Sequence, residues 1–124
     1  MNTSDSTLTV VRRYHQAWTG GDYQSAVDLL DSGLDVEVPV NEYPTKESFA
    51  DALRAFGGMV TDVRLLAEFA ADDQAMLLYD LDAELVGRLR VAEHFTVADG
   101  RIARIRQIHD TVSVRAAGLV PEGR

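Results

Sequence analysis

The chain has 124 residues, 46% of them hydrophobic, no cysteine and a formal net charge of −8. That length suits one domain, residues 1–124, with a real core. The lack of cysteine removes disulfides, thiolate chemistry and cysteine-ligated metals. The acidic balance speaks against general binding to nucleic acid or to an anionic membrane. No apolar run approaches the roughly 20 residues that span a bilayer. The N-terminus, MNTSDSTLTV, lacks a basic segment followed by an apolar one, so the expectation is a cytoplasmic protein.

Taken in order, Asp5 or Ser6 is the expected cap of a first helix running to about Trp18. Val11, Tyr14 and Trp18 recur at spacings of three and four and form its apolar face. Gly20-Gly21 ends it. Asp22 caps a shorter helix carrying Ala26, Val27 and Leu30, which Gly33 stops. Residues 34–40 alternate Leu34, Val36, Val38 and Val40 with polar or proline positions, the period of a strand. After a loop at 41–44, Thr45 caps a third helix with Phe49, Leu53 and Phe56 on one face, and Gly57-Gly58 terminates it.

From Met59 onward the period becomes two. Met59, Thr61, Val63, Leu65, Ala67 and Phe69 read as one face of a long strand. A turn at 71–73, a strand from Gln74 to about Glu84, a turn near Val86-Gly87 and a final hairpin over 88–110 follow. A short helix ending at Gly118 closes the chain. Helices first and a meander of strands after them give an α+β domain. Three helices are the only cover for the buried face of the sheet. The sheet must curl over them into a cone whose open mouth is suited to a small apolar molecule.

The helix VVRRYHQAW followed by GGDY, the strand DVEVPV and the hairpin AEHFTVADGRIARIRQIHD occur in an order that resembles the nuclear transport factor 2-like superfamily. Its cone-shaped members include SnoaL-like polyketide cyclases and ketosteroid isomerases. The resemblance covers nearly the whole chain and implies a strongly curved, mainly antiparallel sheet. In ketosteroid isomerases a tyrosine of the first helix and a protonated acid before a His-Phe pair donate hydrogen bonds to the developing enolate. Tyr14 and Glu93 match those places, with Glu93-His94-Phe95 carrying Glu for the usual Asp; a carboxyl kept neutral by an apolar site is the known physical basis of that role. The third part, an Asp base before a proline, is replaced here by Val38, before Pro39. Alternation puts Asp35 and Glu37 on the opposite face, so neither substitutes for it. The resemblance also implies a homodimer through the outer sheet face.

Glu93 is the anomaly of the hairpin, a carboxylate in the apolar row Leu89, Val91, Phe95, Val97. Its surroundings depend on register. A three-residue loop over 98–100 sets Glu93 opposite Ile105, on a pocket wall shared with Phe95, Gln107 and His109. A two-residue loop, Asp99-Gly100, sets it opposite Arg106 as a cross-strand ion pair. In the pocket, desolvation would raise its pKa and favour a donating acid. His109, on the same face, is the remaining candidate for a general base near neutral pH. Trp18 and Tyr79 face inward as core or pocket wall, and Gln107 can orient a ligand through its amide. Asp80 stays in reserve, outside unless the strand slips. The basic residues Arg88, Arg90, Arg101, Arg104 and Arg106 cluster on the hairpin and read as a solvated or subunit-contacting face.

There is no HExxH, GxGxxG, P-loop or GxSxG motif, and three scattered histidines do not make a metal site. The reading is an enzyme that needs no cofactor or metal and transfers a proton on a small apolar carbonyl or polyketide-like compound. Tyr14 and Glu93 would be donors and His109 the base, with Trp18, Val38, Tyr79, Phe95, Ile105 and Gln107 lining the ligand. The alternative is a non-catalytic binding or interaction domain of the same fold.

Overall fold

A computed structural model describes residues 2–119; the single domain expected over 1–124 extends beyond them at both ends. Helix α1 (Thr3–Thr19) starts earlier than expected. Asn2, not Asp5 or Ser6, is the cap, and its side chain accepts the Asp5 N–H at 2.9 Å. Asp5 then lies in the first turn, where a negative charge complements the helix dipole. Helix α2 (Tyr23–Asp28) is capped by Asp22 as expected, but it ends ahead of Gly33. Helix α3 (Lys46–Gly57) begins with a reciprocal Thr45–Ser48 capping box.

Strand β1 (Leu30–Glu37) begins before residue 34 and takes in Gly33, whose N–H is accepted by the Asp31 side chain at 2.8 Å. Strands β2 (Val60–Ala71), β3 (Gln74–Ala83), β4 (Gly87–Ala98) and β5 (Arg101–Ile108) follow, and a short α4 (Val112–Ala116) completes the described chain. The strand order is β1-β5-β4-β3-β2. β1 runs parallel to β5 and every other pair is antiparallel, so the sheet is mixed.

The even alternation expected along β2 does not hold. Its pairing with β3 shifts register twice, between Val60 and Asp62 and between Leu65 and Ala67. Each irregularity turns the following side chains to the other face. Val63 and Leu65 lie opposite the inward Leu81 and Tyr79, and the second shift leaves Phe69 on the outer surface, 69% exposed, opposite Met76.

The terminal hairpin follows neither expected register. Its loop is the two-residue Asp99-Gly100, with Val97 opposite Ile102. The ladder then slips between Thr96 and Val97, leaving Ala103 as an extra residue. Phe95 meets Ile105, His94 meets Arg106 and Glu93 meets Gln107. The bulge explains how Ile102 and Ile105, three apart, are both fully buried. Ile102 thereby joins the core.

Helix α1 fills the curl of the sheet. Val11 and Tyr14 are buried against it, and the Phe95 ring meets Tyr14 edge-on with centroids 5.8 Å apart. Phe95 and Ile105 are core residues at 0% exposure. Neither is among the residues that line the cavity, contrary to the expectation that both would line the ligand.

The outer face carries a ladder of ion pairs. Arg90 grips Asp80 through two hydrogen bonds of 2.7 and 2.9 Å. Arg88 holds Asp82, Arg104 holds Asp35, and Arg106 lies 3.5 Å from Glu37. Asp80 is thus a structural partner outside the cone, not a site residue. Four of the hairpin arginines answer carboxylates across the sheet, an arrangement that contributes little stability per exposed pair but matches neighbouring strands in charge.

Candidate active site

The cone encloses a cavity of about 280 Å³, the small end of the range for ligand sites. Its walls are mostly apolar: Trp18 from α1, Phe49, Leu53 and Phe56 from α3, and Leu81 and Val91 from the sheet. Val38 and Val40 also reach it, although β1 has ended at Glu37.

Glu93 is the buried acid of this cavity, 1% exposed. Two neighbours hold it. The Tyr79 hydroxyl donates to Oε1 at 2.9 Å, and the Gln107 amide donates to Oε2 at 2.8 Å. Pairing explains both. Leu77 lies opposite Glu93 across β3–β4, so Tyr79 is its diagonal neighbour on the inner face. The bulge at Ala103 brings Gln107 directly opposite on β5. Burial pushes the carboxyl up to about 7, opposed by the two hydrogen bonds. Desolvation dominates, and the group is poised between its two protonation states near neutral pH.

Tyr14 lines the same cavity, 1% exposed. Burial, and secondarily the charge of Glu93, pushes its hydroxyl well above the ordinary value, and Tyr79 is raised for the same reasons. Both hydroxyls therefore stay protonated and can donate. Tyr79's proton is engaged by Glu93, whereas Tyr14's has no hydrogen-bond partner among the described residues.

His109 also lines the cavity, just past the end of β5. Its Nδ1 is 2.9 Å from the Asp110 carbonyl oxygen. A carbonyl only accepts, so Nδ1 is the donor in this contact. Gln107, not Ile105, faces Glu93, so His109 is nearer the acid than a three-residue loop would have placed it. The other histidines lie elsewhere. His15 packs its ring 4.9 Å from that of Tyr79, and burial lowers its pKa to about 4. His94 bonds to Gln74 at 2.8 Å on the outer face.

Of the expected site residues, the fold brings Tyr14, Trp18, Val38, Tyr79, Glu93, Gln107 and His109 to one cavity. Sequence reasoning missed the direct clasp of Tyr79 on Glu93. It also missed Asn41 and Tyr43, which line the cavity from the loop before α3. An Asn-x-Tyr pair following a strand that ends near a pocket was the available signal.

With fold and geometry in hand, the comparisons decide the family. The model of the SnoaL-like domain matches residues 11–105. The chain belongs to the SnoaL-like domain family. Among solved structures, this SnoaL-like chain is similar to a protein of Kribbella flavida DSM 17836 at 29% identity. The TM-score is 0.83, with 90% of this chain and 93% of that one covered. It is also similar to a steroid delta-isomerase from Pseudomonas aeruginosa, at 15% identity and TM-score 0.76, covering 92% and 87%. An LEH-like epoxide hydrolase of M. tuberculosis matches at 20% identity and TM-score 0.74, covering 94% and 91%. The last two likenesses establish the cone fold that the two families of enzyme share with it. No curated protein matches the chain.

Proposed function

We propose that this SnoaL-like domain is a small-molecule enzyme that moves a proton, with its own side chains, on an apolar carbonyl compound of polyketide or cyclic-ketone type. The observation that carries the reading is Glu93: a buried carboxyl at the cavity, held by Tyr79 and Gln107, with a pKa of about 7. Such a group can take a proton and return it at neutral pH. Tyr14, its hydroxyl unengaged, would donate to the carbonyl oxygen. As the carboxylate of Glu93 takes the α-proton, the C–H electron pair forms a carbon–carbon double bond. The carbonyl becomes an enolate oxygen, stabilised by Tyr14. Return of the proton to a different carbon completes an isomerisation. This arrangement supplies a base without a carboxylate at Val38 and leaves His109 as the second proton-transferring group.

The test is deuterium exchange at the α-carbon of small cyclic ketones in heavy water, followed by NMR. Wild type should exchange the label, and Glu93→Gln and Tyr14→Phe should slow it by at least about a hundredfold. Full exchange by both variants would remove these roles.

A second reading is a non-catalytic binding module, favoured by Val38 standing where ketosteroid isomerases carry their base. Thermal stabilisation by ketones or lactones without exchange would support it. In either case two chains are proposed to pair through the outer sheet face, where Phe69, Met76 and Ile108 are exposed among the ion pairs.

A further inference from the structure

The cavity pairs an uncompensated acid with an aromatic lining. Glu93 is buried, yet among the described residues no lysine or arginine lines the cavity around it. The titratable and polar groups of the cavity near it are the Tyr14 hydroxyl from α1, the Tyr79 hydroxyl from β3, the Gln107 amide from β5 and the His109 ring just beyond β5. None carries a fixed positive charge. The Gln107 amide nitrogen can only donate, so Oε2 serves as a bare acceptor with a second lone pair free. Around this acid stand Tyr14, Trp18, Tyr43, Phe49, Phe56 and Tyr79, six of the nine aromatic residues of the chain. Aromatic faces attract cations through their quadrupole, most strongly where water is excluded.

A buried carboxylate without a cation is an unfavourable arrangement that a positively charged partner relieves. The paired carboxylates of the sheet each have an arginine, Asp80 with Arg90 and Asp82 with Arg88 on the outer face and Glu68 with Arg12 of α1. Among the described residues Glu93 instead has only the neutral donors Tyr79 and Gln107. The net charge of −8 further favours the approach of a cation over that of an anion.

We infer that the cavity binds small organic ammonium compounds, an amine on an apolar or aromatic body, with the ammonium on Glu93 and the body against the aromatic walls. The inference stands apart from the catalytic reading: it concerns which ligands the cavity selects, whatever is done to them. It also gives Glu93 a sign. A neutral, donating acid would select carbonyl and hydroxyl ligands and do so best at low pH. An ionised acid selects ammonium ligands and does so best above its pKa, which burial has brought to about 7.

Benzylamine and benzyl alcohol are matched probes, equal in size and differing in charge. Their dissociation constants are to be measured by NMR titration of the full chain at about pH 8 and about pH 5.5, and again with Glu93→Gln. At about pH 8 both Glu93 and the amine are ionised. Benzylamine should then bind about tenfold or more tightly than benzyl alcohol. The preference should collapse at about pH 5.5 and in the variant. The wild-type pH comparison needs no variant, so it stands even where Glu93→Gln fails to fold. Equal binding of the two probes, absence of binding by both, a preference that persists at low pH, or one that survives in a folded Glu93→Gln protein would each overturn the inference. Ketone exchange is measured without any amine, so failure of the catalytic reading and failure of this one are separately visible.

Discussion

The Gln107 amide donates to Glu93 Oε2 at 2.8 Å because one bulged residue, Ala103, sets the two opposite each other. Without the extra residue the two-residue loop would have placed Arg106 there, and the acid would be half of a cross-strand ion pair. The bulge converts it into a cavity acid with two neutral donors.

Those donors are the first thing to test. Each hydrogen bond to a charged group is worth about 1.5–3 kcal/mol, so removing one should raise the Glu93 pKa by roughly one to two units. Gln107→Leu and Tyr79→Phe are therefore expected to move it above its present value of about 7. The side-chain carboxyl carbon shift of Glu93, titrated by NMR, reports this directly. An unmoved midpoint in both would mean that the two contacts do not govern the acid.

Two buried groups oppose each other in the dependence of stability on pH. Glu93 is raised from 4.5 to about 7 on folding. Its contribution is fully present below about 4.5 and is lost as pH rises through about 7, a fall of about 3 kcal/mol. His15 is lowered from 6.5 to about 4, because burial outweighs the attraction of nearby Glu68. Its contribution is present above about 6.5 and is lost as pH falls toward about 4, again about 3 kcal/mol. The two slopes nearly cancel between about 4.5 and 6.5. Glu93→Gln should unmask stability that rises with pH in that window, and His15→Phe stability that falls with it. Urea midpoints measured across the window distinguish these outcomes from a flat response in both.

Phe95 lies at 0% exposure with its ring edge-on to Tyr14. Phe95→Ala should cost about 3–5 kcal/mol, from lost burial plus the cavity left behind. Val38→Ala, at the wall of a cavity that is already open, should cost much less. Denaturant unfolding of both variants checks the contrast. Comparable losses would contradict the assignment of Phe95 to the core and Val38 to the wall.

The outer face makes its own prediction. Phe69 is 69% exposed and Ile108 70% exposed, and a pairing of two chains there would cover them. Wild type should sediment as a dimer at micromolar concentration. A Phe69→Glu, Ile108→Glu double variant should be a monomer with unchanged melting behaviour of its core. A monomeric wild type would remove the proposal.

Much of this protein was legible in the residues themselves, because much of it is local. The face of Val11, Tyr14 and Trp18, the caps at Asp22 and Thr45, and the alternation along β3 and β4 depend on periods of 3.6 and two and on side chains reaching their own backbone. The inward face of Glu93 followed from the same alternation, and the order of elements carried the family. What the sequence left open are relations between strands. Whether Glu93 meets Ile105, Arg106 or Gln107, whether Phe69 turns in or out, and whether Ile102 joins the core all depend on where a ladder slips by one residue. A bulge has no strong local signature, since Ala103 is an ordinary residue for a strand. It is selected by what pairing and packing bury on both sides at once: Ile102 and Ile105 in the core, and Gln107 at the acid. Only the tertiary structure weighs those together, and that is why it alone decided what Glu93 touches.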